Sequence, residues 1–242
     1  MPSKTSALRA ALPHAFRHTL PILAGFLFLG MTYGIYMTGS GFPVYYPLLT
    51  SLLVFSGTME FLAVNLLLGA FSPIQAFLLA LCIGARHTVY GLSMLEEYRP
   101  LGPKKFYMIF GLCDETFSVN RAAVLPGTVD RGAFMFLVTL LDQCYWVCGA
   151  SLGALFGSFL PFPTQGLDFS MTALFVVIFL EQLLKERSHL SSLLGLAVSL
   201  CFLLLLGPDL FLIPSIVTIC LLLLLCDRHA QKAGKKEGAG HE

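Results

Sequence analysis

Charge is what this sequence has least of. Asp, Glu, Lys and Arg make up 12% of its 242 residues, about half the usual soluble share, which excludes an ordinary water-soluble domain. No run of basic residues interleaved with aromatics is present, and the formal net charge is +1, so no nucleic-acid surface is expected. No helix carries H-E-x-x-H and no G-x4-G-K stands anywhere. Metalloprotease chemistry and ATP hydrolysis therefore lack their usual parts, and no catalytic residues are assigned. The seven cysteines are odd in number and show neither zinc-type pairs nor a disulfide framework. They read as small buried hydrophobes, and neither a metal nor a cofactor is implied.

What is abundant is apolar sequence, 56% of residues at a mean hydropathy of +0.79. A spanning helix takes about 20 such residues, and the chain supplies about seven or eight apolar segments. The fold expected is all-α, a polytopic membrane bundle of helices. Residues 1–19 carry Lys4, Arg9 and Arg17 and read as a cytoplasmic N-terminal segment under the positive-inside rule. Residues 20–226 are expected to form the transmembrane domain. Residues 227–242 are polar, rich in small residues and basic, and read as a disordered cytoplasmic tail. The first apolar block has no small-x-small cleavage site and reads as a retained span, Leu20 to Thr38, opened by Pro21 in its first turn.

Further spans are expected from Ile74 to Leu95, Gly132 to Leu160, Phe169 to Lys185, Leu190 to Leu206 and Asp209 to Cys226. Gly30-x3-Gly34 and the ladder Gly149, Gly153, Gly157 are small-residue steps suited to close helix packing. Together with the likeness of VFSGTMEFL to VIFLEQLL they form a faint internal echo of the kind seen in duplicated transporters. Two blocks are less regular. Tyr46 to Ala70 is interrupted at Ser56-Gly57-Thr58, where a packing notch competes with a broken helix whose second half aims free N–H groups inward, capped by Ser56 or Thr58. Phe106 to Leu125 holds Cys113-Asp114-Glu115-Thr116 and either spans or dips in and returns. Eight full spans, or six with both irregular blocks re-entrant, satisfy the loop charges.

Glu60, Arg86, His87, Asp114, Glu115 and Asp142 all fall inside apolar blocks. Five formal charges at about 3 kcal/mol each would cost roughly 15 kcal/mol, comparable to the stability of a whole domain. Four carboxylates face one arginine, so simple pairing leaves acids over. Those acids are either neutralised by protons or matched by something that comes and goes. A small zwitterion fits: its carboxylate against Arg86 and the half-helix start at Gly57 and Thr58, its ammonium against Glu60 or Asp114. Glu60, Asp114, Glu115 and Asp142 are the candidates for proton coupling, with His87 as another titrating group. Glu181 and Lys185 read as a helix-surface pair, and Trp146 as packing or an interfacial anchor.

The run LLVFSGTMEFLAVNLLLGA, the segment GARHTVYGLSM, the segment GLCDETFSVN and Tyr145-Trp146-Val147-Cys148-Gly149 resemble the AzlC family, the large subunit of bacterial branched-chain amino acid permeases. The resemblance covers most of Phe16 to Leu206, and Arg86 to Gly91 and Asp114 to Phe117 are its most specific parts. It implies a multi-pass protein of the bacterial inner membrane that exports branched-chain or similar small apolar amino acids. A small AzlD-type membrane subunit is the implied companion, and Gly57, Arg86, His87, Asp114 and Glu115 are the implied site. Two positions depart from the family pattern: Glu60, where glutamine is frequent, and Gly84-Ala85, where asparagine often precedes the arginine. The alternative is a substrate-binding membrane subunit or channel-like component of a larger transport complex. Dependence on a proton gradient rather than on ATP separates the two.

Overall fold

A computed structural model of the chain describes residues 4–69, 73–159 and 189–207, together with isolated positions between 169 and 225. All regular structure among the described residues is helical. The helices are α1 (Lys4–Gly39), α2 (Tyr45–Leu53), α3 (Gly57–Leu68), α4 (Pro73–Tyr98), α5 (Lys104–Phe110), α6 (Asp114–Ala122), α7 (Arg131–Phe159) and α8 (Leu190–Leu206), with a 3-10 turn at Arg99–Leu101. The chain divides into two units, residues 1–173 and 174–242. Among the described residues, α1 and α7 are long and apolar enough to cross a membrane.

The first unit is built on α1 against α7, and glycine sets the closeness of that pair. A methyl group at Gly30 would lie 2.9 Å from the Trp146 carbonyl oxygen, and one at Gly149 would lie 2.9 Å from that of Leu27. At Gly34 and Gly153 it would run into the backbone of Ala150 and Met31. The two glycine steps of the internal echo are thus the two sides of one contact, the small-residue packing of membrane helices. Half of VIFLEQLL, including Glu181, lies outside the described residues, as do Lys185 and residues 161–168, 208–210 and 226–242.

Helix α1 begins far earlier than the apolar run does. Pro21 does not open it but sits inside, as does Pro13. The reason is burial: Ala11, Ala15 and Thr19 are fully buried, the alanines beside Met94, Tyr98, Met108, Phe134 and Val138. Arg9 and Arg17, which lend this stretch its polar look, are exposed. At the start of α7, Asp130 Oδ1 accepts the Ala133 N–H at 2.6 Å, capping the helix.

Both irregular blocks are interrupted helices. Between α2 and α3 the chain runs through Val54 to Ser56, with Phe55 in the left-handed region at φ 45° and Ser56 extended. Between α5 and α6 it runs through Gly111 to Cys113, with Cys113 extended. At 1.5 Å per residue the twelve residues of α3 cover about 18 Å, short of a hydrocarbon core about 30 Å thick.

Outward faces are strongly apolar: Phe28, Ile74, Phe77, Leu81, Val89, Leu92 and Phe159 are each more than half exposed, far beyond what a soluble monomer displays in one region. Cysteines were expected inside, yet Cys144, Cys148 and Cys201 are exposed. Helical period explains the α7 pair, because the face opposite them is taken by Asp142, Trp146 and Gly149. In the second unit, α8 lines a cavity of about 400 Å³ with Ser191, Ser192 and Ser199 on its wall.

Candidate functional site

Both breaks meet α7 at the same level, and consecutive side chains of α7 hold them. The first halves are tied by Gln143, whose amide nitrogen donates to the Leu52 carbonyl at the end of α2 (3.3 Å) while its oxygen accepts from the Tyr107 hydroxyl of α5 (2.6 Å). The second halves are tied by Asp142 and Trp146, one helical turn apart. Thr116 in the first turn of α6 donates to Asp142 Oδ2 at 2.8 Å. Trp146 Nε1 donates to both oxygens of Glu60, at 3.0 and 3.1 Å. Phe55 and Phe110, at the two interruptions, pack with ring centroids 6.4 Å apart.

Around the first break the polar groups close on themselves. Glu60 is fully buried, and besides the indole it accepts the Ser56 N–H at 3.1 Å. Neither Ser56 nor Thr58 is the cap that was expected, since Ser56 makes no side-chain capping bond. Glu60 reaches back from the first turn and satisfies that donor, as the acid of a capping box does, and its charge suits a helix N-terminus. Gly57 is needed there because the Trp146 ring lies across it: a methyl would stand 2.8 Å from Cη2. The ring is fixed by an edge contact with Phe26 and by stacking on Tyr33, with centroids 5.6 and 6.5 Å away. Notch and break are one feature.

At the second break the acids fan out. Asp114 and Glu115 occupy the first two positions of α6, both half-buried. Asp114 Oδ2 pairs with an Arg86 guanidinium nitrogen at 2.8 Å, each side chain about a third exposed (31% and 36%). Tyr90, one turn beyond Arg86, stacks on Phe117 with centroids 4.6 Å apart and meets His87 edge-on at 6.1 Å. Asp142 stands apart from that pair. It is fully buried, and Thr116 is the donor on one oxygen while Oδ1 has no hydrogen-bond partner among the described residues. Cys113 Sγ lies 3.1 Å from the Thr116 hydroxyl. That hydroxyl spends its single proton on Asp142, so the thiol is the donor to it.

The expected constellation is therefore two clusters joined through α7. Gly57, Thr58 and Glu60 belong to one, and Arg86, His87, Asp114 and Glu115 to the other, with Asp142 between them. Thr116, Gln143 and Tyr107 were not among the expected residues. Thr116 and Gln143 each stand within two positions of an acid that was, and Trp146 is four residues after Asp142, the spacing that shares a helix face.

A family model described as AzlC protein matches residues 21–160. The chain is 52% identical over 231 residues to the "Branched-chain amino acid transport protein AzlC" of Bacillus subtilis, covering 96% of this chain and 91% of that protein. The chain belongs to the AzlC family. An "Uncharacterized membrane protein" of Haemophilus influenzae is 50% identical over 90% of this chain and 88% of its own length. The "Inner membrane protein YgaZ" of Escherichia coli is 25% identical over 71% of this chain and 73% of its own. No solved structure matches. The matched span of the AzlC model takes in both breaks, the Arg86–Asp114 pair and most of α7. One G-x-S-x-G spacing, Gly149-Ala150-Ser151-Leu152-Gly153, occurs within it. It lies mid-helix in α7, its glycines against α1, without the strand-to-helix turn of a serine nucleophile.

Proposed function

We propose that this AzlC-family chain is a secondary transporter of the bacterial inner membrane that exports branched-chain or similar small apolar amino acids. Export is coupled to protons and carried out with a small AzlD-type membrane subunit. The chain crosses the bilayer several times, each interrupted pair counting as one discontinuous segment, and both ends lie in the cytoplasm. The observation that carries this reading is the meeting of two interrupted helices, each opening its second half with an acid, on buried side chains of one continuous helix. Broken helices meeting at mid-depth are the usual architecture of a substrate site in secondary transporters.

The substrate exchanges into the Arg86–Asp114 pair. Arg86 takes the α-carboxylate in a forked contact and Asp114 takes the ammonium, so one ion pair becomes two without net charge entering the membrane. Tyr90 and Phe117 wall the adjacent space, His87 and Glu115 border it, and the Gly57, Thr58 and Glu60 start of α3 braces it from across α7. The coupling proton resides on one of Glu60, Asp114, Glu115 or Asp142.

The test is efflux of labelled isoleucine from proteoliposomes holding the full chain, with and without the AzlD-type subunit, under an imposed pH gradient. Efflux that follows the gradient and is lost in both Arg86→Ala and Asp114→Asn is expected. Efflux indifferent to the gradient, or unchanged in both variants, would remove the proposal.

A further inference from the structure

Glu60 and Asp142 are both carboxylates with no solvent exposure, yet their surroundings prepare them for opposite tasks. Each Glu60 oxygen already accepts an N–H, from the indole on both and from Ser56 on Oε1. These donors carry no titratable proton and no lone pair, so the partners Glu60 has among the described residues suit an anion. Asp142 has one neutral donor on Oδ2 and no partner on Oδ1 among the described residues; Asp114 Oδ1 is unpartnered too, but that carboxylate has a guanidinium on its other oxygen and Asp142 has none. If Oδ1 gains a proton, Oδ2 becomes the carbonyl oxygen and goes on accepting from Thr116, so the bond to α6 persists in both states.

The groups around this turn of α7 offer no substitute partner. Glu115 and Cys113 stand near it on α6. Glu60 is engaged by Trp146 on the α3 side, and Tyr107 of α5 gives its proton to Gln143. Tyr33 of α1 donates to or accepts from Thr50 at 2.7 Å. Tyr46 of α2 packs on the Trp146 cluster, and Tyr145 of α7 itself is bonded to Thr19. The deep cation, Arg86, is committed to Asp114 on the far side of the first turn of α6. A buried carboxylate with an open oxygen and a like-charged neighbour loses its desolvation cost when it takes up a proton.

We propose that Asp142 Oδ1 is the site that takes up and releases the transported proton, and that Glu60 is a fixed anion holding the first break. This rests on the transport reading above and assigns the role that reading leaves open among four acids. The proton arrives from water on one side of the membrane, forms the Oδ1–H bond, and returns to water on the other side when that bond breaks. Thr116, in the first turn of α6, reports the state of the carboxyl to the helix that also carries Asp114.

The experiment is a pH-difference infrared spectrum of the full chain in lipid vesicles. The wild type should show a carboxylic C=O band that is absent from Asp142→Asn and retained in Glu60→Gln. Thr116→Val leaves the carboxyl in place but removes the donor to its carbonyl, and should move that band to higher frequency, which serves where Asp142→Asn does not insert. A band that survives Asp142→Asn, that disappears with Glu60→Gln, or that stays put in Thr116→Val would overturn the assignment. The spectrum needs no transport, so its outcome stands apart from a failure of isoleucine to move in vesicles, which would sink the transport reading instead.

Discussion

The two interruptions share a plan, a half-helix that starts mid-chain with an acid in its first turn and leans on α7, but they finish it differently. At the first, both oxygens of the buried acid have partners: Glu60 is held by Ser56 and Trp146, and Gly57 is flush against the indole. At the second, Arg86 and Asp114 remain partly open to the outside and Asp142 keeps an oxygen without a partner. A satisfied polar network fixes geometry, whereas a half-satisfied one is costly and persists where something pays that cost in function. The first break is closed on its own contacts, and under the proposed function the second is where a ligand or proton exchanges.

Variants can break that contrast, beginning with the largest effect. Trp146→Phe removes the indole donor from a fully buried carboxylate and should destabilise the protein by about 3 kcal/mol, read as a loss in denaturant-induced unfolding. The added change Glu60→Gln should restore much of it, because a neutral amide needs less from its surroundings. No rescue would mean that the ring's packing, not its N–H, fixes the first break. Gly57→Ala should cost about 1 to 3 kcal/mol by pushing on a ring that Phe26 and Tyr33 hold in place. If its stability is unchanged, the indole has room to move and the break is looser than described.

At the second break the order of effects reverses. Thr116→Val should cost only about 1 kcal/mol of stability while changing the pH dependence of isoleucine efflux; the opposite pattern would make the two breaks equivalent. The smallest effect is expected at the ion cluster where Glu97 meets Arg121 at 3.0 Å and Arg131 at 3.1 Å. The arginines are about half exposed and Glu97 about a quarter (26%), and Glu97→Gln should change stability by less than about 1 kcal/mol. A large loss there would show that the end of α4 contributes more to holding α6 and α7 than the buried contacts do.

Much of this contrast was written in local sequence. The helices expected at Gly132 to Leu160 and Leu190 to Leu206 were legible to within a residue because long apolar runs favour unbroken helix, and Ser56-Gly57-Thr58 announced the first break. The early start of α1 was not legible. Its buried positions are Ala11, Ala15 and Thr19, which look unremarkable beside Arg9 and Arg17, and the partners of the alanines lie in helices far along the chain. The candidate acids were visible as charges in apolar surroundings, but their division was not. Glu60 and Trp146 are 86 residues apart, and nothing in the local pattern of either says that one satisfies the other. Residues of intermediate polarity, such as Thr116 and Gln143, carry no insertion penalty large enough to draw notice, although they decide which carboxyl is matched and which is open.

The most direct test of this division is the number of protons moved per isoleucine in proteoliposomes, measured with an internal pH dye beside labelled substrate. In Asp142→Asn the proton flux should fall at least about tenfold further than isoleucine exchange, whereas in Glu60→Gln the two should change in proportion. Equal proton-to-isoleucine ratios in wild type and Asp142→Asn would contradict the account.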